Sequence, residues 1–183
     1  TISGSGSSWV NNGELYIGNS GIGTMNVNTG GLVSSNNGNI GYYGDGIVYM
    51  QDIDTLWDMS GYDLTVGFGS GSQGYLNIAN GASVSNDYAY IGISNNEYSE
   101  VIVSGPNSSW INSGEIWLGE SGWGKLVINS GGYVSSLYGI MGSDIDGLGT
   151  AVVADSGSIW DISSNGLYVG YYGDGNVNIK NGG

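Results

Sequence analysis

Residues Gly114 to Ser135 read GEIWLGESGWGKLVINSGGYVS and decide how the rest of the chain is read. Three short alternating runs lie between Gly-rich turns: Ile116-Trp117-Leu118 closed by Gly119, then Leu126-Val127-Ile128, then Tyr133-Val134-Ser135 after Gly131-Gly132. Alternation with period two places one side-chain set on each face of an extended strand. Three strands of three residues cannot bury an apolar face alone, so the stretch needs neighbours of its own kind.

The neighbours are present. Trp9, Trp57, Trp110 and Trp160 recur at gaps of 57−9=48, 110−57=53 and 160−110=50. A finer marker halves that period. Ile17-Gly18, Ile40-Gly41, Val66-Gly67, Ile91-Gly92, Leu118-Gly119, Met141-Gly142 and Val169-Gly170 are spaced by 23, 26, 25, 27, 23 and 28 residues. Leu15/Ile17, Leu64/Val66 and Leu167/Val169 repeat the first run, and Met25/Val27, Leu76/Ile78 and Val177/Ile179 the second. Val33-Ser34 and Val84-Ser85 repeat the third, which carries tryptophan in the other half of each long repeat.

These patterns predict an all-β fold: a right-handed parallel β-helix of about seven coils, with three short strands and about 25 residues per coil. At ~4.8 Å per coil the rod is about 34 Å tall. A propeller with one blade per long repeat is the alternative; the recurrence of the glycine marker in both halves favours the solenoid. The whole of residues 1–183 reads as one solenoid segment, an internal fragment of a longer repetitive protein, without polar caps.

Composition restricts function. Sixteen acidic residues stand against two lysines, Lys125 and Lys180, with no arginine or histidine, giving a net charge of −14. Such a surface repels nucleic acid and anionic membranes. No run of 18 apolar residues spans a bilayer, and the absence of cysteine removes disulfides and thiolate chemistry. Thirty-seven glycines with a single proline, Pro106, supply turns, while 14 tyrosines and six tryptophans argue against disorder.

The pattern GxLxIxxGGxVS in Gly23 to Ser34 and Gly124 to Ser135, with the Ser5–Trp9 and Gly157–Trp160 segments, resembles the passenger repeats of bacterial autotransporter-type surface proteins. That resemblance implies a right-handed β-helix displayed on the cell surface or outside it, serving as stalk or adhesin. A stalk or adhesin would have surface glycans or other cells as partners, and the uncapped ends with their open pairing edges would let further copies stack end to end. No translocator barrel lies within these residues.

Three motifs invite chemical readings. Ala154-Asp155-Ser156-Gly157-Ser158 matches a serine-nucleophile segment by letter, but a serine nucleophile needs a base and the chain has no histidine. In repeat register it equals Ser104 to Ser108. Gly69 to Gly74 spells GxGxxG, yet a strand follows where a dinucleotide site needs a helix. Asn107-Ser108-Ser109 is a glycosylation sequon, expected to be unused.

Carboxylates are the more serious candidates. Asp52, Asp54, Asp58 and Asp63 surround Trp57, and Asp144 pairs with Asp146. Two carboxylates suffice for glycoside hydrolysis, so a polysaccharide-processing β-helix is the second reading. Clustered aspartates also suit Ca²⁺, but Gly44-Asp45-Gly46 and Gly173-Asp174-Gly175 lack the nonapeptide spacing of calcium repeats, so no metal ligands are assigned. No catalytic or cofactor-binding residue is assigned either. The outward aromatics Tyr16, Trp117 and Tyr168, with Tyr42, Tyr43, Tyr171 and Tyr172, form either a sugar-stacking face or a structural ladder. Within Gly114 to Ser135, Trp117 and Val127 stand out as the outward departures from neighbouring coils. The leading expectation is a non-enzymatic extracellular β-solenoid that serves as a spacer, adhesin shaft or filament building block.

Overall fold

The computed structural model describes residues 1–94 and 97–183, without the side chains of residues 164 and 165. It is a parallel β-solenoid, as the repeat predicts, and no helix occurs among the described residues. Each coil contributes one strand to each of three faces. The first face is an eight-stranded sheet: Ile2–Ser3, Gly23–Asn28, Gly46–Gln51, Gly74–Ala79, Tyr98–Ser104, Trp123–Asn129, Leu148–Ala154 and Asp174–Lys180.

The second face stacks Ser8–Val10, Leu32–Ser34, Leu56–Asp58, Ser83–Asn86 and Ser109–Asn112, and the third stacks Leu15–Ile17, Gly38–Ile40, Leu64–Val66, Ala89–Ile91 and Ile116–Leu118. In the last two coils these faces fuse into the long strands Tyr133–Met141 and Ile159–Val169. Every pairing is parallel, and equivalent repeat positions pair, such as Leu76 with Val101 and Val101 with Leu126.

The aliphatic member of each alternating run points inward. Val27, Val48, Leu76, Val101 and Leu126 of the first face meet Ile40, Val66 and Leu118 of the third in one continuous core. Val177 and Ile179 of the last coil lie exposed at the end of that column.

Corners close the coils. The glycines of the fine marker, Gly18, Gly41, Gly67, Gly92, Gly119, Gly142 and Gly170, all have φ between 62° and 81°. A Cβ on Gly18 would also lie 2.2 Å from the Asp45 carbonyl oxygen of the next coil, and one on Gly119 2.2 Å from that of Leu148. Only glycine satisfies both the left-handed backbone and the stacking distance.

The 50-residue superperiod has a packing cause. Inward positions of the second face run Trp9, Val33, Trp57, Val84, Trp110, Val134, Trp160, each paired with the next. The first inward positions of the third face run Leu15, Gly38, Leu64, Ala89, Ile116, Gly139, Leu167. Large coils (tryptophan plus leucine or isoleucine) thus alternate with small coils (valine plus glycine or alanine). The six-membered rings of Trp57 and Trp160 lie where side chains on Gly38 and Gly139 would be: a Cβ there would stand 2.8 Å from each indole. Alternating large and small side chains in successive layers fills the column without voids.

A repeated set of hydrogen bonds ties each large coil to the small coil before it. The indole N–H groups of Trp57, Trp110 and Trp160 donate to Ser35 Oγ, Asn86 Oδ1 and Ser136 Oγ of the preceding small coil, at 3.0, 2.7 and 3.1 Å. In the same pairs, the backbone N–H groups of Gly30, Gly81 and Gly131 donate to the hydroxyls of Thr55, Ser108 and Ser158 at 3.1, 2.9 and 3.0 Å. The turns that carry these groups also alternate. Small coils use adjacent left-handed residues, such as Thr29-Gly30 and Asn80-Gly81, whereas large coils place one residue between two of them, as in Asp52/Asp54 and Gly105/Asn107. The turn is thus one residue longer in the coils that carry the indole.

Candidate functional site

Both repeated and divergent features meet on the outside of the third face. Its outward row pairs Tyr16, Asn39, Thr65, Tyr90, Trp117, Ile140 and Tyr168 in register, one per coil. A second row runs beside it from the corner after each marker glycine. There the backbone N–H groups of Tyr42, Phe68, Ile93 and Glu120 donate to the carbonyls of Gly18, Gly41, Gly67 and Gly92 one coil below, at 2.9 to 3.0 Å. Two rows held by main-chain ladders and set at a corner leave a groove parallel to the solenoid axis.

The groove crosses five coils and encloses about 420 Å³. Tyr16, Tyr42, Phe68 and Tyr90 supply its apolar surface, Asn39 and Thr65 its polar floor, and Glu14 and Glu120 its two ends. Tyr42 stacks on Phe68 with centroids 4.5 Å apart and planes 11° from parallel, and Tyr16 meets Tyr42 edge-on at 5.0 Å. The Tyr16 hydroxyl donates to the Glu14 carboxylate, and that bond pushes the phenol up to about 12. Burial, with Asp144 adding to it, raises the Glu120 carboxyl above its ordinary value. Burial also raises the Tyr90 phenol, helped by Asp63, Glu115 and Glu120. The groove is therefore aromatic, partly desolvated and acidic.

The structure brings most of the sequence-predicted aromatics together, but in separate groups. Tyr16, Tyr42 and Tyr43 join Phe68 at the groove. Trp117 packs near Tyr90, centroids 6.3 Å apart, and donates its N–H to Glu115 at 2.9 Å. Tyr168, Tyr171 and Tyr172 form a further group with Tyr138. Val127 is no departure at all: its outward neighbours are Ile102 and Val152. Phe68 and Tyr90 escaped sequence reading, although each occupies a fixed repeat position, Phe68 directly after Gly67 as Tyr42 follows Gly41, and Tyr90 at the Tyr16 position.

The aspartates near Trp57, close in sequence, lie on different parts of the coil. Asp52 and Asp54 occupy the turn from first to second face; Asp52 accepts a bond from the Thr29 N–H at 3.3 Å. Asp58 points outward on the second face, accepting from the hydroxyls of Ser60 and Ser85 at 2.6 and 2.8 Å. Those bonds and the Ser60 N–H hold its carboxyl below the ordinary value. Asp63 sits before the third face and accepts from the Tyr88 N–H at 3.2 Å. At the opposite corner Asp144 binds Ser121 Oγ at 2.9 Å, and Asp146 is exposed. Among the described residues no group of three or more acidic side chains is placed to hold a metal ion. Asp45 accepts from the Gln73 N–H at 3.0 Å, serving the turn between coils.

The letter-match motifs resolve into turns. Ser158 donates to the Ala154 carbonyl at 2.6 Å and Ser108 to that of Ser104 at 2.7 Å, so the two segments are equivalent, as their register predicts. Gly69 to Gly74 is a corner closed by Ser72, whose buried hydroxyl donates to the Gly69 carbonyl at 2.6 Å, and the strand Gly74–Ala79 starts at its end. A second concavity of about 290 Å³, lined by Trp160, Leu167, Val177 and Ile179, is the core column seen end-on.

The fold and its corners define a parallel β-solenoid repeat chain with an axial aromatic groove. The chain is 31% identical over 176 residues to the uncharacterized lipoprotein YdeK of Escherichia coli (strain K12), a match covering 92% of this chain and 13% of that protein. It therefore spans a small part of the length of the relative it matches. No family model matches the chain, and no solved structure does.

Proposed function

We propose that this chain is part of the rigid, non-enzymatic shaft of a bacterial cell-surface protein of the autotransporter-type or lipoprotein-anchored kind. The observation that carries this reading is the unbroken three-faced parallel ladder around one aliphatic column. Every coil is tied to its neighbours by main-chain bonds on three sides, so bending breaks bonds and exposes core at once. The acidic exterior keeps such rods apart. Likeness to a much longer lipoprotein supports surface attachment, and the use of Asp52, Asp58, Asp63 and Asp144 in turn and ladder hydrogen bonds supports a structural role for the carboxylates. The test is antibody labelling of this segment in the parent organism. Labelling of intact cells supports the reading; labelling only after permeabilisation contradicts it.

A further inference from the structure

We propose that the axial groove on the third face binds a linear amino-sugar oligosaccharide carrying free amines. This goes beyond the shaft reading and does not depend on it. The shape comes first. Walls built from one residue per coil make a groove whose length is set by coil spacing: from Glu14 to Glu120 it spans four steps of ~4.8 Å, about 19 Å. Its occupant is therefore an extended chain that lies along the axis.

Lining chemistry narrows the class. Ring surface at Tyr16 and Tyr90 suits the apolar faces of sugar rings, while Tyr42 and Phe68, already stacked face on face one coil apart, add an apolar wall that is fixed before any ligand arrives. Tyr16 remains 40% exposed, so its ring surface is open to a partner. Asn39 and Thr65 place an amide and a hydroxyl between the rings, where hydroxyl or acetamido groups find partners.

Charge narrows it further. The two ends are carboxylates, no lysine lines the groove, and the chain carries −14 overall. Uronate, sialic-acid, sulfated and phosphorylated glycans are repelled. An ammonium group is attracted both by Glu14 or Glu120 and by the ring faces beside them. An extended basic peptide is the other cationic chain of this shape. It is disfavoured because the strands beneath the groove already use their main-chain groups in the parallel ladder, leaving no edge to which a peptide adds as a strand.

The experiment is calorimetric titration of the whole chain with glucosamine hexasaccharide, N-acetylglucosamine hexasaccharide, oligogalacturonate and oligolysine. Tyr16→Ala, Phe68→Ala and the isosteric Glu14→Gln and Glu120→Gln serve as variants, and Tyr75→Ala on the first face as the control. Far-UV circular dichroism confirms that each variant is folded. The proposal expects saturable binding of the glucosamine chain and none of oligogalacturonate. Each aromatic variant weakens it about tenfold, the glutamine variants remove the preference for free amine over acetamide, and Tyr75→Ala binds as the parent does. It is overturned if the glucosamine chain does not bind saturably, if folded Tyr16→Ala and Phe68→Ala bind it unchanged, or if oligolysine binds as tightly.

Discussion

Trp110 Nε1 donates to Asn86 Oδ1 at 2.7 Å across two successive coils, with both side chains buried. Asn86 is not a spare polar group. Its amide N–H groups reach Asn112 Oδ1 at 2.8 Å and the Tyr88 carbonyl at 3.0 Å, so one side chain joins the indole, the next coil and its own turn. A buried amide so engaged is costly to strand. The indole itself is fully buried in the column, in register with Val84 of the preceding coil.

Replacing Trp110 separates these contributions. Trp110→Ala is expected to destabilise by ~3–5 kcal/mol through the cavity. Trp110→Phe keeps an aromatic ring but leaves Asn86 Oδ1 without its donor, with an expected cost of ~1–3 kcal/mol for the lost bond. Urea titration followed by circular dichroism checks both. A loss under ~1 kcal/mol for Trp110→Ala contradicts the packing described.

Gly139 tests the complementary half. A Cβ there would lie 2.6 Å from Leu167 Cδ1 and 2.8 Å from the Trp160 ring. Gly139→Val is expected to cost ~1–3 kcal/mol by overpacking. In a Trp160→Val background the same change fills vacated space, so the double mutant is expected to be more stable than the sum of the singles by ~0.5–3 kcal/mol. Strict additivity contradicts the account.

Two carboxylates give stability opposite dependences on pH. Asp58 is held below its ordinary 3.8 by Ser60 and Ser85, so its contribution is present above that value and is lost as pH falls through the lower folded value. Asp58→Asn should therefore lower the melting temperature at neutral pH and flatten the acid limb. Glu120 is raised above its ordinary 4.5 by burial and Asp144, so its charge opposes folding at neutral pH and the penalty disappears on protonation. Glu120→Gln should raise the melting temperature at neutral pH, with the gain vanishing below the ordinary value. Melting curves across pH check both signs.

Coil length, coil number and inward residues were legible in the sequence because strand alternation and left-handed corners write themselves into single positions, such as the aliphatic Ile116 and Leu118 around Trp117 and the corner glycine Gly119. The tryptophan period was legible too, but its reason was not. The fit of Trp57 over Gly38, and of its N–H to Ser35, joins residues about one coil apart through the column interior, a relation visible only once register is known. The groove was half legible for the same reason. Tyr42 and Tyr43 stand out as a pair, whereas Phe68 and Tyr90 become neighbours of that pair only through stacking. The aspartates around Trp57 misled because closeness along a coil is separation around it.

Two coils, one large and one small, form the packing unit, and excision of one coil or of two puts that unit to the test. Removing residues 76–100 joins Tyr75 to Val101 in register and deletes the Val84 coil, setting the Trp110 coil on the Trp57 coil, large on large. Removing residues 76–125 joins Tyr75 to Leu126 in register and restores alternation, with Val134 following Trp57. Thermal melts of both variants against the parent decide the matter. The longer excision is expected to keep a cooperative melt near the parental temperature while the shorter one is clearly less stable, although it loses fewer residues. A shorter-excision variant as stable as the longer one, or more so, would contradict the two-coil unit.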